Sequence, residues 1–180
     1  MAVTYSNRIR AVFAFSCFAG LLACQQLAFA KKPAAVDKQA LERTRNTVKM
    51  LDDVYKTAVV LITDKYVNDE DDFPAGGAAV ALFDAIAKKG WHEVRILDAT
   101  GEPYDDDNVA RDDFDREAIK QLKAGKDFYE QVVEVKGQPY LRAATPIPVV
   151  MDKCVMCHPH YKGVKKGAPI GLLSYTLKIE

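Results

Sequence analysis

The stretch YLRAATPIPVVMDKCVMCHPHYKGVKKGAPIGLLSYTLKI, residues 140–179, decides the fold. It opens on an apolar segment, residues 140–146, and ends on a second one, GLLSYTLKI, residues 171–179. Segments of this length and type, punctuated by Gly and Pro, predict strands. Between them lie Cys154-Val155-Met156-Cys157-His158 and a loop rich in Lys and Gly. The cysteine motif therefore falls late, between two strands, and the chain closes on a strand.

Working back from that stretch, residues 128–135 (FYEQVVEV) read as an antiparallel partner of 140–146, joined by Lys136-Gly137-Gln138-Pro139. An acidic loop over 105–115 passes into a helix over 113–124, which stops at Gly125. EVRILD, residues 93–98, is a short strand followed by the turn ATGEP. A helix over 78–89 stops at Gly90. Residues 38–66 carry no Gly or Pro, and Val48, Leu51, Tyr55, Ala58, Val59 and Ile62 recur at helical steps on one face. Helices first, then strands with one inserted helix, predict an α+β domain: an antiparallel sheet with the N-terminal helices packed beside it.

The N-terminus bears on compartment. Arg8 and Arg10 precede an uncharged apolar run, residues 11–24, and Ala28-Phe29-Ala30 forms a small-x-small exit before Lys31. This is the pattern of a cleavable secretory signal over residues 1–30. The run is shorter than the ~20 residues a spanning helix needs, so no membrane span is expected after cleavage. Leu21-Leu22-Ala23-Cys24 offers lipid anchoring at Cys24 as a lesser alternative. A tether over 31–40 and one domain over 41–180 follow. Cleavage removes two of the 25 basic residues and none of the 25 acidic ones. With no basic stripe, a phosphate backbone is not an expected partner. Cys17 and Cys24 leave with the signal, and Cys154 and Cys157 remain.

C-x-x-C-H is the pattern of covalent haem attachment: two thiols add across the porphyrin vinyl groups, and the next histidine becomes the proximal iron ligand. Cys154, Cys157 and His158 are assigned those roles for one haem c, which places the protein in the periplasm. Three rivals share the residues. A thioredoxin-like pair opens a helix early in its domain, which this motif does not. A zinc site would use Cys154, Cys157, His158 and His160, but two near-adjacent histidines close a tetrahedron poorly. A disulfide across so short a gap would constrain little. Small electron-transfer cytochromes carry the motif near the N-terminus, and four-helix cytochromes c′ carry it on a terminal helix, so neither order fits.

EVRILDATGEP, DDFDREAIKQL, YLRAATPIPVVMDKCVMCHPHYKG and GLLSYTL together resemble a family of periplasmic haem-c proteins with a PAS-like fold, long catalogued as a domain of unknown function. The likeness covers about residues 41–180. It implies a PAS-like sheet cupping one haem, with sensing of redox state or small gases, or electron transfer, as the role. Residues 101–108 (GEPYDDDN) replace the Arg-Asn-Pro-x-Asn-like stretch that the family often shows.

Role turns on the sixth iron ligand, because a firm second ligand suits electron transfer and an open site suits gas binding. His92 is the first candidate, since alternation places it with Val94 and Ile96, away from Glu93, Arg95 and Leu97. A core histidine bonded to backbone is the competing reading. Met50 is second, following the sulfur ligand the resemblance implies from the helical region. Met151 and His160 lie too near His158 to reach around the macrocycle, and Met156 sits inside the loop. Arg142, Tyr140, Tyr161 and Lys162 are candidate haem contacts. The leading expectation is a sensor acting through a redox partner protein or a small gas ligand. A monohaem electron carrier is the alternative, and a small peroxidase the third. No catalytic set stands out, and no enzyme is expected.

Overall fold

Alternation and helical periodicity translate into two helices before the sheet, and two more lie between its strands. The computed structural model describes residues 36–69 and 73–180. The signal segment, Cys24, most of the tether and part of the acidic run after Asn68 lie outside the described residues. The elements in order are α1 (Lys38–Tyr66), α2 (Ala75–Lys88), β1 (Glu93–Asp98), α3 (Asp113–Lys123), β2 (Tyr129–Val135), β3 (Gln138–Pro148), α4 (Asp152–Cys157), a 3-10 turn (Pro159–Tyr161) and β4 (Pro169–Lys178). The domain is α+β, with one antiparallel four-stranded sheet in the order β1-β4-β3-β2.

Helix α1 begins where Asp37 accepts hydrogen bonds from the N–H groups of Gln39 and Ala40, a cap that satisfies donors the helix itself cannot. Helix α3 begins the same way on Asp112. The β2–β3 connection is tighter than the four residues anticipated: Lys136 and Gly137 alone turn the chain, both at positive φ. This is the two-residue hairpin whose twist matches its strands. Gln138 and Pro139 join β3. Pro146 and Pro148 fall past the end of β2, where β3 keeps only β4 as neighbour and a missing N–H costs least.

The sheet is covered on both faces. Val48 and Tyr55 of α1 and Phe83 of α2 pack on Val94, Leu141, Leu173 and Tyr175. On the other face, Phe114, Ala118 and Leu122 of α3 meet Leu97, Ala144 and Leu172. Each fully enclosed aliphatic side chain contributes about 1.5–3 kcal/mol. One carboxylate is locked into each face. Asp52 accepts from the Thr145 and Tyr175 hydroxyls and pairs with Lys56. Asp115 is completely enclosed and accepts from Arg95, Arg142 and Ser174. Among the described residues, no helix is long and apolar enough to cross a membrane.

Candidate functional site

After Pro148 the chain leaves the sheet and makes a short six-residue helix, α4, entered by the Cys154 N–H donating to the Met151 carbonyl at 3.1 Å. Residues three apart on a helix share a face, so Cys154 and Cys157 stand together. Both are free thiols and both are half-buried. Pro159 then starts the 3-10 turn, closed by the Tyr161 N–H on the His158 carbonyl at 2.9 Å. His158 is the hinge between these two turns.

Three rings surround His158. Tyr161 stacks on it with centroids 4.8 Å apart, Tyr104 meets it edge-on at 5.0 Å, and His160 meets it edge-on at 5.8 Å. Its Nδ1 is buried and has no hydrogen-bond partner. Burial, and then the neighbouring His160, hold the imidazole below its ordinary pKa, so the neutral form is favoured. That is the form in which an imidazole binds a metal. Burial, Asp98 and Cys154 push the Tyr161 phenol up, which keeps it protonated.

Lys153, directly before the first cysteine, fastens this segment to the domain. Its Nζ donates to the main-chain oxygens of Thr63, Asp64 and Val67 at 3.3, 2.8 and 2.6 Å. The last carbonyls of a helix have no partners within it and carry its negative dipole end, so an ammonium there is doubly favourable. Neither Lys153 nor Tyr104 stood out in the sequence. The α1 terminus lies 86 residues and more before Lys153 in the chain, and no local pattern connects the two.

Several residues expected near the motif lie elsewhere. His92 does share a face with Val94 and Ile96, but it precedes the end of β1 opposite Thr176, whereas the motif neighbours the Asp98 end. At about 3.4 Å per residue those ends are about 20 Å apart. His92 Nε2 sits 2.8 Å from the Tyr55 hydroxyl, so its partner is a side chain and not the backbone. Met50 is 59% exposed and about 20 Å up α1 from Thr63 at the helical rise. Tyr140 pairs with Lys178 at the far end of β3. Arg142 lies on the α3 face, bound to Asp112 and Asp115 and stacked on Phe114. Burial works against the Asp112 carboxylate, but hydrogen bonds from the Asp115 N–H and Arg142 outweigh it and lower its pKa. Of the expected set, Cys154, Cys157, His158, Tyr161 and Lys162 come together; His92, Met50, Tyr140 and Arg142 do not. Among the described residues, no group of three or more His, Cys, Asp and Glu side chains is gathered as a metal cage.

A family model described as Tll0287-like, Tll0287, matches residues 30–173, a span that includes the whole motif. No curated protein matches the chain.

Proposed function

We propose, from the premise that this chain belongs to the Tll0287-like family, that it is an exported, non-catalytic protein carrying one covalent haem c and sensing redox state or a diatomic gas. One observation carries the proposal: two free thiols at i, i+3 stand beside a neutral histidine whose buried Nδ1 has no partner. A buried polar atom left unpaired costs about 1–3 kcal/mol, and native proteins keep few such atoms without a use. The residues fit the group. Cys154 and Cys157 would hold it by thioether bonds and His158 would be its axial ligand. Tyr161 and Tyr104 flank that ring.

A haem held there would supply an iron able to respond to electrons or to small ligands. The protein supplies the placement. Lys153 fixes the motif to the C-terminal end of α1. Neither His92 nor Met50 approaches the motif, so neither would act as a firm protein ligand to a haem held there, and sensing is preferred to electron transfer. The antiparallel sheet with helices packed beside it supports the PAS-like reading. The export pattern supports a periplasmic location, where c-type attachment takes place.

The test is an optical spectrum of the purified protein, oxidised, reduced, and reduced under carbon monoxide. Haem that survives acid–acetone extraction, with bands that shift readily under the gas, is the expected result. Haem that extracts completely would sink the covalent assignment. Sharp low-spin bands indifferent to the gas would replace sensing by electron transfer.

A further inference from the structure

The outer side of α4 bears a recess of about 600 Å³. Val149, Val155, Met156, Pro159, Tyr161 and Val164 give it an apolar wall, and Asp152 is the one acidic residue lining it. Lys162 lines it as well, and the same loop runs on through Lys165 and Lys166, all three exposed. Two turns shape the loop: the Val164 N–H donates to the Tyr161 carbonyl at 3.1 Å and the Ala168 N–H to the Lys165 carbonyl at 2.9 Å. Gly163 and Gly167 turn it at positive φ. None of the three ammonium groups has an ion-pair partner among the described residues. The whole chain balances 25 basic against 25 acidic residues, so this cluster is a local concentration and not a share of a general basic charge.

We infer that this recess with its lysine edge is a docking site for an acidic protein partner that inserts an apolar side chain. An apolar centre with a charged rim is the anatomy of a specific protein interface, the rim steering encounter and the centre holding the complex. Three lysines are fewer than the 4–8 that mark a lipid-binding basic cluster, and a concave apolar seat suits a protruding side chain better than a flat bilayer. They are also too few for a phosphate backbone, where about 6–10 contacts are typical. Val155 and Met156 are the two residues between the cysteines, so a partner seated here lies one residue from both haem attachment points. That consequence rests on the proposed haem; the docking itself does not.

The experiment uses the full mature protein, isotopically labelled, and a synthetic peptide with two leucines between runs of glutamate. Saturable shifts of amide signals confined to residues 149–166, weakening as salt is raised, are expected. Lys162→Glu, Lys165→Glu and Lys166→Glu together should weaken binding about ten-fold or more. Lys38→Glu, Lys49→Glu and Lys88→Glu together, exposed lysines elsewhere, should leave it unchanged. Replacing the two leucines by serine should also weaken binding. Equal effects of the two lysine triples, or shifts spread over the surface, would overturn the proposal. Lysine-dependent binding to phosphatidylglycerol vesicles without binding of the peptide would overturn it in favour of a membrane. The optical bands of the same samples report the haem separately: peptide binding without covalent haem removes the haem reading alone, and covalent haem without peptide binding removes the docking site alone.

Discussion

His92 and His158 sit at opposite ends of one sheet, and burial lowers the pKa of both. They differ in what they touch. His92 is bonded to Tyr55, whose ring in turn meets Phe83 edge-on in the core at 5.1 Å. His158 keeps a buried nitrogen without a partner, among stacked rings and beside two free thiols. The first end is a finished piece of core. The second holds unspent bonding capacity, and the haem proposal rests on it. Burial of a histidine alone does not distinguish the two; the partner inventory does.

The contrast is broken most completely at the motif. His158→Ala should abolish the normal haem spectrum, and Cys154→Ser should impair covalent retention, both read by absorbance before and after extraction. Wild-type spectra in both variants would end the haem assignment. Next in size is Asp115→Ala, which leaves Arg95 and Arg142 facing an empty buried site and should cost about 3–5 kcal/mol in chemical denaturation. The variant should keep its haem bands as long as it remains folded, because Arg142 belongs to the α3 face and not to the motif. A selective spectral change in folded Asp115→Ala would return Arg142 to the haem.

His92→Phe should cost about 1–3 kcal/mol at neutral pH by leaving the Tyr55 hydroxyl without its partner, with the optical spectrum unchanged. Its pH dependence sharpens the point. Folding holds His92 below its ordinary value of about 6.5, so the unfolded chain takes up the proton more readily. The contribution of neutral His92 is therefore complete above that value and is lost as pH falls through and below it. Denaturation curves across that range should show the gap between wild type and His92→Phe narrowing toward acid; a gap that widens would mean that His92 is charged in the fold. Smallest is Met50→Ala, an exposed position expected to stay within about 0.5 kcal/mol and to leave the spectrum as it was. A shifted spectrum there would restore Met50 as an iron ligand.

Much of the scaffold could be read directly from local pattern. The bounds of α1 and β1 are those the periodicity predicts, because an unbroken helical face and a short alternating run each carry their own signal. The β2–β3 turn is shorter than local pattern suggests, because Pro139 looks like a turn residue until the strand beside it is known. Alternation also assigned His92, Val94 and Ile96 to one face correctly.

The sequence by itself determined the order of elements, the α+β class, and a cysteine–histidine motif between the last two strands, since all of these are written in spacings of a few residues. Tertiary structure alone decided which end of the sheet the motif occupies, that His92 is satisfied by Tyr55, that Arg142 serves Asp115, and that Lys153 ties the motif to α1. Period-two alternation fixes the side of a sheet on which a residue lies. It is silent on position along the strand relative to another segment, which antiparallel register and contacts between residues 27 to 90 apart in the chain establish.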